Sequence, residues 1–297
     1  MRLDDYRTSD NVEDQRGKGG RRMAGLPFGG GKMGIGMLAV IVIGAMLLGV
    51  DPSALLNGGM TGQAPPQQSA GPAGSADPAS AADACNVDPI SRFSCQVLAS
   101  TEDSWEAIFR AQGAAYTPPR FVFYAGTGMS GCGSANAAVG PFYCPADQRI
   151  YLDTSFFDEL HRRFGAPGDF AQAYVIAHEV GHHIQTVTGI SEQVRSQQSQ
   201  VGEREGNALQ VRMELQADCY AGVWGARNRD RIEAGDIDEA LGAARAIGDD
   251  TLQRQAQGRV VPDSFTHGSA EQRMRWFKQG YDTGDPGQCD TFAARQI

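Results

Sequence analysis

Apolar residues recur through residues 169–187 (Phe170, Ala173, Tyr174, Ile176, Ala177, Val180 and Ile184) with no proline among them, a pattern that predicts a helix. Residues 207–228 repeat Leu209, Met213, Ala217, Tyr220, Ala221 and Trp224 at three- and four-residue spacing and predict a second. Shorter patterns surround this pair. A helix is expected over 104–112, with Trp105, Ile108 and Phe109 inward, and Pro118-Pro119 ends it before a strand at 120–124. A strand at 149–152 and a helix at 154–164 follow, and helices are expected at 236–246 and 269–281. Residues 126–140 read as a glycine-rich loop; no Lys-Ser/Thr follows, so it is not a phosphate-binding loop. The Gln-rich stretch 193–206 reads as a loop near a cleft entrance. No internal repeat is visible. The sum is an α+β fold, helices dominant, with a small sheet whose edge can pair with an extended chain. Tyr124, Tyr143 and Tyr151 are candidate hydrogen-bond donors there, against the commoner role of buried core tyrosines.

Hydropathy divides the chain into four. Residues 1–33 are polar and basic, and 34–50 are 17 residues without a charge, near the lower limit for a membrane-spanning helix. Residues 51–84, rich in Ala, Gly, Pro, Ser and Gln, read as a flexible tether, and 85–297 have the composition of one globular domain. Five bases and no acid lie between Arg16 and Lys32, whereas residues 51–91 carry Asp51, Asp77, Asp83 and Asp88 and no base. The positive-inside rule then puts the N-terminus in the cytoplasm and the domain outside, periplasmic or extracellular, on a single N-terminal transmembrane helix. A cleaved signal peptide fits less well: its leading region would be some thirty residues with five acids, and no A-x-A site follows.

All six cysteines lie beyond the apolar run, an even number that suits disulfides in such a compartment. Short loops favour Cys85–Cys95 and Cys132–Cys144 and leave Cys219 for Cys289; without any C-x-x-C pair, cysteine metal ligation is the weaker reading. The net charge is −9, and outside residues 1–33 there are 19 bases against 30 acids. That surface excludes nucleic acid as a natural partner.

The two main helices carry the chemistry. His178-Glu179-Val180-Gly181-His182 is an H-E-x-x-H motif, and helical spacing sets its histidines one turn apart on one face, within reach of one small cation. Glu179, one residue round, is poorly placed to ligate but well placed to take a proton from water polarised by zinc. Gly181 removes bulk and admits a neighbouring element. Three of the five histidines fall within 178–183, which argues against a core helix that happens to carry them. His183, about 100° from His182, belongs behind the site or on the surface. On the second helix Glu214 and Asp218 share a stripe with Ala217 and Ala221. Glu214 is the expected third ligand, and Asp218 the acceptor that orients a ligating imidazole. A lone pair of helical acids is usually a solvated surface feature; the H-E-x-x-H partner reverses that reading. Near the C-terminus His267 is a candidate to stabilise an oxyanion, and Arg273 to hold it, bind substrate carbonyls or pair with a local acid.

These motifs resemble the bacterial membrane-anchored neutral zinc metallopeptidase family. The similar stretches include Asn11-Val12-Glu13-Asp14, Gly140-Pro141-Phe142-Tyr143-Cys144-Pro145, Ile150-Tyr151-Leu152-Asp153, 177–183, 214–222 and Thr266-His267-Gly268-Ser269, spread over nearly the whole chain. More distantly the site is similar to gluzincins with a late Thr-His-Pro followed by an arginine six residues beyond the histidine. Here Gly268 replaces the proline, which puts the role of His267 in question, while Arg273 keeps the spacing. The resemblance implies a zincin-like fold, Zn2+ as cofactor and a peptide or protein substrate, with no other partner specified. A non-catalytic envelope scaffold with a structural zinc is the competing expectation, and retention of Glu179, whose use is chemical, tells against it.

Overall fold

The structure is a computed structural model that describes residues 1–16, 78–137, 140–163 and 165–297. A four-stranded sheet combines β1 (Val12–Asp14), β2 (Arg120–Phe123), β5 (Phe142–Cys144) and β6 (Arg149–Leu152) in the order β1-β2-β6-β5. The first three in that order run parallel, and β5 joins antiparallel at the edge nearest the metal helix. Between β2 and β5 a separate hairpin, β3 (Thr127–Ser130) and β4 (Gly133–Asn136), occupies the expected glycine-rich loop, tied to β5 by Cys132–Cys144.

The helices are α1 (Pro78–Cys85), α2 (Pro89–Ala111), α3 (Ser155–Arg162), α4 (Asp169–Val187), α5 (Ile190–Gln198), α6 (Glu203–Arg227), α7 (Asp236–Ala246), α8 (Asp249–Gln257) and α9 (Ala270–Thr283). The fold is α+β and helix-dominated, as expected. α4 and α6 form its axis, with α2 and α7 against α4 and with α9 against α6. Phe170, Tyr174, Leu215, Trp224 and Phe277 fill the space among them, each fully buried.

Several expectations are corrected. The helix expected at 104–112 begins at Pro89, where the Asp88 carboxylate accepts from the Ser91 N–H at 2.7 Å as N-cap. Its first half is buried and rich in small polar residues, so no amphipathic stripe marks it. Residues 78–84, assigned to the tether, are part of α1, and the stretch 193–206 is largely α5 and the start of α6. The larger correction concerns the head. Residues 1–16 are no separate tail: β1 completes the sheet, Leu3 and Val12 are buried, and the terminal amine lies 2.9 Å from Asp169. Among the described residues no helix is long and apolar enough to cross a membrane. The expected anchor at 34–50 and the tether at 51–77 lie outside the described residues.

The three expected disulfides, Cys85–Cys95, Cys132–Cys144 and Cys219–Cys289, are all present. The last ties α6 to the C-terminal tail.

Candidate metal centre

α4 and α6 cross closely enough to share a cation because one of them lacks a side chain at the crossing. A Cβ on Gly181 would stand 2.9 Å from the Ala217 backbone, and the neighbouring turns carry His178 and His182 on one helix and Glu214 on the other. The Nε2 atoms of His178 and His182 lie 3.2 and 3.5 Å from one Glu214 oxygen, and the ligand atoms of the three residues fall within 4.8 Å of one another. The expected ligands are thus brought together.

Their outer nitrogens are already used. His178 Nδ1 is 2.8 Å from Asp218 Oδ1, and an acceptor-only carboxylate requires the proton on Nδ1. His182 Nδ1 is 2.9 Å from Gln185 Oε1; the Gln185 amide nitrogen donates to the Met213 carbonyl at 2.7 Å, which fixes the amide's orientation. Both rings therefore turn Nε2 toward Glu214, and that nitrogen is the one a metal would take in place of a proton. Two neutral imidazoles and a carboxylate, with room for one more ligand, fit catalytic zinc. Gln185 went unrecognised in the sequence, although its position three residues after His182 puts it one turn away on the same helix.

The electrostatics also call for a cation. Burial works against a charge on His178, but Asp218 outweighs it and pushes the imidazole up to about 10. Burial tends to raise Glu214 as well, yet His182 and His267 hold it well below the usual carboxylate range. Glu179 behaves differently. Its burial dominates and raises the carboxyl, with the histidines and the Tyr143 backbone N–H pulling the other way. It lines the same cleft as Phe142 and Tyr143 of β5.

Asp218 is wholly buried and accepts four hydrogen bonds: from His178, from the Tyr174 hydroxyl at 2.6 Å, and from Arg273 Nε and Nη2 at 2.9 Å each. Arg273 is therefore corrected as a substrate-binding candidate. It is 2 % exposed with its fork on Asp218, so of its expected roles only pairing with a local acid survives. Of the two places expected for His183, behind the site or on the surface, it takes the first: it is fully buried, with Nε2–H donating to Thr117 O at 2.7 Å and Nδ1 accepting from the Tyr143 hydroxyl at 3.1 Å. The Tyr143 hydroxyl proton is thereby committed, and so is that of Tyr151, which donates to Asp147. Tyr124 is a buried core residue.

His267 reaches the cleft from the loop before α9, its side chain 39 % exposed. One Asp249 oxygen receives the N–H groups of Thr266, His267 and Gly268 at 2.6–3.0 Å, and this shapes the loop. Gly268 has φ +90°, a conformation closed to proline, which accounts for glycine here. Burial opposes a charge on His267; Glu214 and Asp249 outweigh it and raise the imidazole's pKa. The cleft over these residues encloses about 480 Å³, with Phe142, Phe156, Val175, Ile247 and Leu252 in its wall. A second cavity, of about 710 Å³ and lined by α5, α6 and the C-terminal tail, contains none of the three ligands.

A helix-borne His-Glu-x-x-His, a third carboxylate from an adjacent helix and a buried acid behind it form a group that could hold a metal ion. The chain belongs to the family described as "Putative neutral zinc metallopeptidase", whose model matches residues 1–292. It is 50 % identical over 299 residues to "Uncharacterized protein YpfJ" of Escherichia coli K12, covering 98 % of this chain and 99 % of that one. It is 42 % identical over 268 residues to "Uncharacterized protein Rv2575" of Mycobacterium tuberculosis, covering 85 % and 86 %. No solved structure matches.

Proposed function

We propose that the protein is a zinc-dependent endopeptidase that cuts extended peptides or proteins outside the cytoplasm, held at the membrane through residues 34–50. The observation that supports this best is the placement of Glu179, a buried carboxylate beside, but outside, a three-residue zinc site. A structural zinc site has no use for such a group, so the scaffold reading is the weaker one.

His178, His182 and Glu214 would hold the metal, and bound zinc polarises a carbonyl and lowers the pKa of water to about 7. Glu179 takes the proton from the attacking water and returns it to the leaving amine. A raised carboxyl suits that exchange, since it binds a proton more readily than an exposed glutamate. His267, charged or donating, lines the same cleft and stabilises the oxyanion. The cleft-side strand β5 offers an edge along which an extended backbone can lie, and the apolar wall accepts a hydrophobic side chain next to the cut bond. Three disulfides support an extracytoplasmic address.

The test is full-length protein, purified in mild detergent, incubated with a diverse peptide mixture and analysed by mass spectrometry. Chelator-sensitive internal cleavage is expected, abolished in Glu179→Gln while zinc content stays at about one per chain. Persistent cleavage in Glu179→Gln, or none by zinc-loaded wild type, would overturn the reading.

A further inference from the structure

The first sixteen residues are built into the catalytic domain. Val12, Glu13 and Asp14 pair in parallel with Phe121, Val122 and Phe123, and this ladder is extended by Phe121 N–H donating to Asn11 O at 2.8 Å and Gln15 N–H to Phe123 O at 2.7 Å. Side chains extend the docking beyond three paired residues. Glu102, buried on α2, accepts from the Ser9 hydroxyl, the Asn11 amide at 2.8 Å and the Arg7 guanidinium at 3.0 Å. Arg16 lies 4.5 Å over the Phe123 ring, and donates to Ser91 Oγ at 2.7 Å and to Ala84 O at 2.9 Å. None of these contacts involves the terminal amine.

The contact between Arg16 and Ala84 has a topological consequence. The 17 uncharged residues 34–50 lie between them in sequence. One crossing of a hydrocarbon core about 30 Å thick would put Arg16 and Ala84 on opposite sides of the membrane. A docked head and a single crossing exclude one another within one molecule.

We propose that the head and the catalytic domain lie on the same side of the membrane. The proposal rests on the membrane role given to 34–50 above, and it replaces the cytoplasmic N-terminus read from charge. The bias of basic residues speaks to the preferred insertion of an isolated segment. Here the competing term is a strand, a buried carboxylate and an arginine fork that the folded domain needs from the head.

The chain provides its own probes. Its only lysines are Lys18, Lys32 and Lys278; Lys278 lies on α9 with its side chain 63 % exposed and an ion pair to Asp282. The full chain in sealed right-side-out membrane vesicles is treated with a membrane-impermeant amine-acylating reagent. Peptides containing Lys18 and Lys278 are quantified against a detergent-opened sample, which normalises each lysine's reactivity. Asp282→Asn, which frees Lys278 from its ion pair, serves as a second preparation. The expected result is that both lysines are acylated to a similar fraction before opening. Acylation of both only after opening also supports a common side, but overturns the extracytoplasmic address of the proposed function. Acylation of one with protection of the other until opening overturns the proposal.

Discussion

Each ligand histidine depends on a residue that never touches the metal, and the two supports differ in kind. His178 leans on a charged carboxylate, itself held by Tyr174 and Arg273, while His182 leans on the neutral amide of Gln185. Gln185→Ala would leave His182 Nδ1 without its acceptor and free to take the wrong tautomer. Zinc affinity should fall by roughly 10–100-fold with the fold retained, measured by competition against a chromophoric chelator. Unchanged affinity would remove Gln185 from the site. The adjacent His183 provides a pH test. Burial lowers its pKa from 6.5 to about 4, with the Thr117 carbonyl only partly offsetting the effect. Between those values the unfolded chain binds the proton that the folded chain refuses, so stability is full above about pH 6.5 and is lost as pH falls toward 4. The span corresponds to about 3 kcal/mol. In urea unfolding with chelator throughout, His183→Gln should lack this share of the acid-side slope; identical slopes would refute it.

The pair of helices α4 and α6 has to cross closely, since two ligands ride on one and the third on the other. Gly181→Ala would press a methyl against the Ala217 backbone at 2.9 Å and force the helices apart. A stability loss of roughly 1–3 kcal/mol is expected, together with weaker zinc binding, read by thermal unfolding and chelator titration of the same preparation. Normal values for both would mean that the crossing has slack. This crossing was legible because the motif and the small residues at 181, 217 and 221 share one period. Other elements were hidden for physical reasons. α8 buries Asp249 and Gln253, so its inner face is polar and carries no hydrophobic signal; Gln253 instead bonds Val261 and Ser264. α5 buries Val194 alone, and β1 and β5 have three residues each, too few to show alternation. β5, which lines the cleft with Glu179, could be found only through the strand it pairs with. The spacing of Arg273 was visible, but its partner was not, since Asp218 lies 55 residues away in sequence.

At the scale of the molecule, the division into tail, anchor, tether and domain followed composition, whereas the fold follows contacts. The head is polar because it docks through hydrogen bonds, and composition alone cannot separate that from a solvated tail. Glu102 is where the difference can be measured. It is 7 % exposed and receives donors from Arg7, Ser9 and Asn11, all in the head. If the head is part of the domain, Glu102→Ala strips the acceptor from three groups that reach into a partly closed interface. The full chain in detergent should lose roughly 1–3 kcal/mol. The effect should also be local. β1 is short, in register over Val12–Asp14 with one flanking bond at each end, so weakening its approach should free the head before the axis of α4 and α6 unfolds. Trypsin should then cut after Arg7 and Arg16 faster in the variant, at a temperature where zinc remains bound. A variant with wild-type stability and wild-type cleavage at both arginines would show that the head contributes nothing to the domain, and would remove the constraint it places on the membrane.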